Sequence, residues 1–452
     1  MGDGSDSASW IYLAVSIVGL GFTCAALVPA RRIGWFAIPY FFGAWLAGEL
    51  AIHHIVWQAA ATVGFAMAGA FEAPAGIAGL AITVVSWLGF GVVVQRARAA
   101  GDVTEIALRE SLGRDYGPSV STQDAPAEQS IPVEQLMLPF RMRHPDVEVT
   151  RGIAYGEAGK RNLLDVYHPR FSDGPCPTLL QIHGGGWMIG NKEEQGGPLM
   201  RYLAARGWCC VAINYRLSPS ATWPEHLIDC KRALAWIREN GAAHGADPDL
   251  VVVTGGSAGG HLSSMVALTA NRPEYQPGFE DVDTSVAACV PFYGVYDFLS
   301  RHGADPDNRM ADVLERYVLK CSPQAEAERW RLASPIDQIG PEAPPFYVIH
   351  GTHDTLAFVE DARAFVRALR GVSQAPVAYA ELPGGQHAFD VFHSIRTEHT
   401  VRSVWKFLEH VRARRVARGP VAPTGPIAPL PITATTFHTA QPQRRCASPD
   451  DS

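Results

Sequence analysis

Hydrophobic and polar positions divide the chain sharply near residue 96. Before it charges nearly vanish: Trp10–Ala30 runs for about twenty residues without one, enough to cross a hydrocarbon core of roughly 30 Å. Arg31-Arg32 close that run, and apolar sequence resumes at Ile33 and continues to Val94, ahead of Arg96 and Arg98. Glu49, His53-His54, Gln58 and a break at Glu72-Ala73-Pro74 interrupt it. The pattern predicts three spans, with a long second helix from about Ile38 to Phe71, or four spans with a turn at His53-His54. Three spans put both arginine clusters on one face and the acidic N-terminus on the other, as the positive-inside rule prefers. That count predicts an integral protein of the cell membrane with its downstream part in the cytoplasm. No basic n-region precedes the first run, which argues against a secretory signal.

After residue 96 the period changes. Gly101–Gly113 has helical spacing (Val103, Ile106, Leu108, Leu112), and Ser119–Ser130 is a polar Ser/Gln/Ala/Pro linker, so 97–146 reads as a connection that can add to a cap. Short apolar runs then recur at Val147–Tyr155, Asn162–Tyr167, Thr178–Ile182, Cys209–Ile213, Leu250–Thr254, Val286–Val290, Phe346–Ile349 and Val377–Glu381. Helical stretches separate them, at Gly196–Arg206, His226–Asn240, Ala357–Arg370 and Thr397–Arg415. Strands alternating with helices predict an α/β domain over 147–414, a mostly parallel sheet covered on both faces. The remainder, 415–452, is Pro/Ala/Thr-rich from Gly419 and lacks periodicity, as disordered tails do.

Composition changes this picture little. A net charge of -7 over 452 residues gives no reason to expect nucleic acid as a partner. The mean hydropathy of +0.01 is high for a soluble enzyme, and nearly all the excess lies before residue 96. Eight scattered cysteines show no metal-type spacing and read as buried small hydrophobes or incidental thiols, so no metal site is expected.

The chemistry centres on Val251-Val252-Val253-Thr254-Gly255-Gly256-Ser257-Ala258-Gly259-Gly260-His261. A β-branched run stops at glycines, presents one serine and passes into a helical stretch, the context a G-x-S-x-G nucleophile needs. Acyl transfer through serine also needs a base, an acid to orient it, and donors for the oxyanion, in the chain order Ser, Asp/Glu, His. Asp354 follows the strand ending at Ile349, and His387 lies in the glycine-rich Leu382–Phe389 loop after the next strand. Asp337 and Asp361 lack that strand-end context, while His393, His399 and His410 fall in or near the last helix. His350 and His353 precede the aspartate and break the order; His350 reads as a structural histidine beside the site. Upstream, Gln181-Ile182-His183-Gly184-Gly185-Gly186-Trp187 lets backbone N–H groups turn inward, and the expected oxyanion donors are those of Gly185, Gly186 and Ala258. His183 is expected to hold that loop rather than act as a base.

These motifs together resemble the hormone-sensitive-lipase-like carboxylesterases of the α/β-hydrolase superfamily. Four features carry the resemblance: His183–Gly186, Asn214-Tyr215-Arg216-Leu217-Ser218-Pro219, the Gly255–Gly260 elbow, and the Asp354/His387 pair, within Val147 to Arg414. It implies a triad of Ser257, Asp354 and His387 that hydrolyses carboxylic esters without a cofactor. The anchored arrangement is similar to that of membrane-bound actinobacterial esterases. Gly256 departs from the pattern, since an acidic residue usually precedes the serine there. Trp187 resembles kynurenine-formamidase-like esterases instead.

Substrate choice is less sharply written. Tyr296–Ser334 reads as a lid insertion, to which Arg109–Arg143 can add. Trp187, Trp223, Tyr293, Phe358 and Phe389 are candidates to line an acyl pocket for short-to-medium or lipid-derived esters, with membrane lipids as the other partner. An amidase or arylformamidase is the alternative within hydrolases; a non-catalytic binding module would need a broken triad, and none is broken. Glu49 and His53, spaced i, i+4 within the apolar region, are expected near an interface or bonded to a neighbouring helix.

Overall fold

The computed structural model describes residues 2–30, 36–116, 131–172, 174–302 and 309–418. Arg31-Arg32, the Ser119–Ser130 linker and the tail from Gly419 lie outside the described residues. Eight strands form one sheet: β1 (Val147–Ala154), β2 (Leu163–Pro169), β3 (Cys176–Ile182), β4 (Cys209–Ile213), β5 (Ala246–Gly256), β6 (Ala288–Phe292), β7 (Phe346–Gly351) and β8 (Val377–Leu382). Their order is β1-β2-β4-β3-β5-β6-β7-β8. β2 runs antiparallel to both β1 and β4, and all other pairs are parallel.

Each apolar run predicted as a strand is one. β4 and β6 are buried at every position, which is why they read as unbroken apolar runs rather than alternating ones. Neighbouring residues still part to opposite faces. Leu180, Val211 and Val253 join one apolar cluster, while Leu179, Cys210 and Val252 join the other.

Thirteen α-helices complete the described chain: α1 (Gly2–Leu27), α2 (Ala37–Glu49), α3 (Ala51–Met67), α4 (Pro74–Arg98), α5 (Ala100–Leu112), α6 (Val133–Met137), α7 (Gly197–Ala204), α8 (Glu225–Asn240), α9 (Ala258–Leu268), α10 (Arg309–Val313), α11 (Ala327–Leu332), α12 (Val359–Val372) and α13 (Ile395–Arg418). Leu227, Leu262 and Phe365 bring α8, α9 and α12 to the first face of the sheet. Leu108, Leu199 and Val404 bring α5, α7 and α13 to the second. The stretch expected to connect and to add to a cap thus supplies, in α5, part of the cover of the sheet.

Among the described residues two helical stretches, Ser5–Leu27 and Pro74–Leu112, are long and apolar enough to cross a membrane. α1 and α4 join through hydroxyl groups on their shared face: Thr23 Oγ1 lies 2.6 Å from Ser86 Oγ, and the Tyr12 hydroxyl donates to Thr83 Oγ1 at 3.2 Å. Ile17, Val18, Val85 and Leu88 point outward.

The second apolar stretch differs from the expected long helix. It breaks into α2 and α3, which meet at 88°. The break falls at Leu50 (φ −103°, ψ 28°), not at His53-His54. With 13 and 17 residues, the limbs reach only roughly 20 and 25 Å, short of a bilayer core on their own. The cause is tertiary. At the end of α2 Glu49 forms a buried ion pair with Arg396 of α13 and accepts a hydrogen bond from Ser394 Oγ at 2.7 Å. Three residues into α3, His53 Nε2 lies 3.4 Å from the Met137 carbonyl. Both polar residues therefore bond to neighbouring helices, Glu49 to α13 of the α/β domain and His53 to α6 of the connecting segment.

Candidate active site

Ser257 stands where β5 ends and α9 begins, with φ 59° and ψ −121°. A non-glycine residue at positive φ is strained, and only close packing on both sides holds it there. Its N–H donates to the Phe292 carbonyl at 3.0 Å. A Cβ on Gly259 would lie 2.1 Å from the Ile182 carbonyl oxygen, so only glycine lets α9 start this close to β3.

Asp354 and His387 come together from the loops that follow β7 and β8. His387 Nδ1 lies 2.7 Å from Asp354 Oδ2, with both residues buried. The other carboxylate oxygen accepts the N–H groups of Leu356 at 2.9 Å and Ala357 at 2.8 Å. His350 Nε2 adds a contact of 3.2 Å to Oδ2 and one of 2.7 Å to the Ala357 carbonyl. Burial alone would raise the Asp354 carboxyl; the charge and hydrogen bonds of His387 and His350 outweigh it and hold the group well below the usual carboxylate range. A residue with no sequence signal stitches the two loops: Gln386 Oε1 accepts the N–H of Thr355 at 2.8 Å and that of His387 at 2.9 Å.

The glycine loop after β3 curls back through positive φ at Gly185 (111°), Gly186 (59°) and Trp187 (61°). Gln195 Oε1 accepts the Gly184 N–H at 2.7 Å, and a Cβ on Gly184 would come within 3.0 Å of Ser257 Cβ, so the loop lies against the serine. Ala258 is the first residue of α9, where N–H groups have no partner within the helix. His183 stacks on Tyr215 at 4.4 Å and its Nδ1 lies 2.7 Å from the Gly184 carbonyl. Burial pushes His183 down to about 4, so it is neutral and braces the loop. His261 is a second brace. Its Nδ1 accepts the Trp187 indole N–H at 3.2 Å and its Nε2 donates to the Ala333 carbonyl at 2.8 Å, joining the glycine loop to the insertion before β7.

The five aromatic residues proposed for an acyl pocket separate. Trp187 and Trp223 both pack on His261 in the first cluster, while Tyr293 and Phe389 belong to the second, and Phe358 caps the start of α12. Tyr293 stands between two parts of the site. Its ring lies 4.6 Å from that of His387, its hydroxyl donates to Asp390, and it occupies the space beside Gly256. A Cβ on Gly256 would sit 2.5 Å from the Tyr293 hydroxyl oxygen. The acidic residue usual before the serine has no room here. Gly256→Ala should therefore cost about 1–3 kcal/mol of stability and lower kcat/KM by pushing Tyr293 toward His387. Thermal unfolding and steady-state kinetics on the same preparation check this.

The sheet order and the strand–elbow–helix turn are those of an α/β-hydrolase, and comparison with known proteins narrows the class. Residues 164–369 match the BD-FAE family. The probable carboxylic ester hydrolase LipM of Mycobacterium tuberculosis (strain ATCC 25618 / H37Rv) is 45% identical over 346 residues, covering 74% of this chain and 80% of that protein. Esterase LipQ of the same organism is 39% identical, covering 73% and 80%. The chain belongs to this family of carboxylic ester hydrolases. The match to LipM exceeds the whole length of 147–418, so the likeness extends outside the α/β domain. A solved structure of esterase B from Lactobacillus rhamnosis, inhibited by a C6-C4 SN3 compound, shares the fold: its TM-score is 0.51 at 21% identity, over 61% of this chain and 90% of that one.

Proposed function

We propose that the chain is a membrane-anchored serine hydrolase that cleaves carboxylic esters through Ser257, His387 and Asp354. The buried 2.7 Å contact between His387 Nδ1 and Asp354 Oδ2, together with a serine held at positive φ, carries this reading. Asp354 accepts the Nδ1–H of His387 and leaves Nε2 free to take the Ser257 proton as Oγ attacks the ester carbonyl. The N–H groups of Gly185, Gly186 and Ala258 receive the developing oxyanion, each such donor being worth about 10²–10³ in rate. The alcohol departs with the proton from His387, and water enters to release the acid from the acyl-enzyme. Short-to-medium acyl or lipid-derived esters suit this site. The anchor is formed by α1, by α4 and by the bent α2–α3 pair as a third, broken span. Arg96 and Arg98 at the end of α4 favour the cytoplasmic side for the α/β domain.

The test is to label the detergent-solubilised full-length protein with a fluorophosphonate and map the adduct by peptide mass spectrometry. The expected adduct is on Ser257 and disappears in His387→Ala. No adduct on the folded protein would overturn the assignment.

A further inference from the structure

One face of α2 lies on the loop that carries His387. The Phe41 ring meets the His387 imidazole edge-on at 6.3 Å. One turn on, Trp45 stacks on Phe41 at 5.8 Å and donates its indole N–H to the Ala388 carbonyl at 2.9 Å. A further turn on, Glu49 pairs with Arg396, whose guanidinium also donates to the Pro383 carbonyl at 3.2 Å. Three successive turns thus grip residues on both sides of His387. Beside this grip α2 also exposes apolar side chains on the flank of the same stripe: Ile38 is 55% and Phe42 49% exposed.

The surface beside this grip is apolar too. Trp45 touches Phe392 at 5.2 Å, and Phe392 touches Phe140 at 4.9 Å. Phe140 is 64% exposed, and the same segment exposes Met137 and Leu138. Exposed apolar side chains, Ile38 and Phe42 of α2 and Met137, Leu138 and Phe140 beyond the buried Phe392, thus flank this grip, next to helices apolar enough to cross a membrane. Exposed apolar area of this kind is costly in water and favourable against lipid.

We infer that α2 is a wall of the active site, not only an anchor, and that the enzyme takes its ester from the bilayer, the chain of a membrane-resident lipid ester running along Phe41 and Trp45 toward Ser257. This deepens the proposed function and rests on His387 being the base. Phe41 acts as a specificity residue. The Glu49–Arg396 pair acts through the loop and is a positioning contact.

The test uses the full-length protein in phosphatidylcholine nanodiscs. A fluorophosphonate with a long alkyl chain ending in a diazirine is allowed to react at Ser257, then irradiated. Cross-links to residues 36–45 are expected; cross-links confined to 309–334 would overturn the inference. Without a Ser257 adduct the reading beneath it fails and the inference falls with it. Kinetics give a second test. The ratio of kcat/KM for nitrophenyl palmitate in the bilayer to that for nitrophenyl butyrate in water should fall at least about 10-fold in Phe41→Ala, and about 2-fold or less in Val85→Ala, exposed on α4. A ratio unchanged in Phe41→Ala, through equal losses on both esters or none on either, would mean α2 is scaffold alone.

Discussion

Ser257→Ala should lower kcat for any ester the enzyme accepts by about 10⁶, with little change in thermal stability. Alanine keeps the Cβ, so the φ 59° strain of the elbow is the same in both proteins. The lost hydroxyl is only part-buried, so its removal opens no sealed cavity. What disappears is the atom proposed to form the acyl-enzyme. The glycine loop and the Asp354–His387 pair stay in place, and residual turnover of about 10³–10⁴ over water would reflect them. Turnover of a short chromogenic ester, alongside a thermal melt of the same sample, decides it. Retained wild-type activity would remove Ser257 from the mechanism.

Asp354→Asn should be nearly as damaging, with a loss on the order of 10⁴ in kcat and a fold that survives. The asparagine oxygen can still accept the Leu356 and Ala357 N–H groups that shape the loop. Its NH₂ then faces His387 Nδ1, which must become an acceptor; the proton moves to Nε2, where the serine proton should go. The Nε2–H of His350 keeps the Ala357 carbonyl and does not replace the lost acceptor. Stability adds a signed check. Because Asp354 is held below its ordinary range, the carboxylate stabilises the fold above the unfolded-state value and loses that contribution as pH falls through its depressed folded value. The gap in stability between the two proteins should therefore shrink toward strongly acidic pH. Normal rates in Asp354→Asn would point to a different acid.

Much of this was legible beforehand because it depends on local pattern. Strands buried on both faces must be apolar throughout, so eight short runs announced eight strands. A tight strand-to-helix turn needs small residues, which made Gly255–Gly260 visible. Asp354 and His387 could be picked because each follows a strand directly, and the carboxyl ends of parallel strands lie on one edge of the sheet. Gln386 and His261 were invisible as partners, since their contacts are with loops 31 and 72 positions away in sequence. Gly256 was legible as a departure but not as a consequence, because the tyrosine that fills its space arrives from β6.

The N-terminal region shows the same division. Its apolar composition alone determined that these helices suit a membrane, and Glu49 stood out there as a charge needing a partner. Composition has no way to place a bend. Only the tertiary structure decided that the second stretch breaks at Leu50, because the counter-charge, Arg396, stands 347 positions away on α13. Helical periodicity arises from neighbours a turn apart, whereas the break and the grip on the His387 loop arise from contacts that exist only once both ends of the chain have folded together.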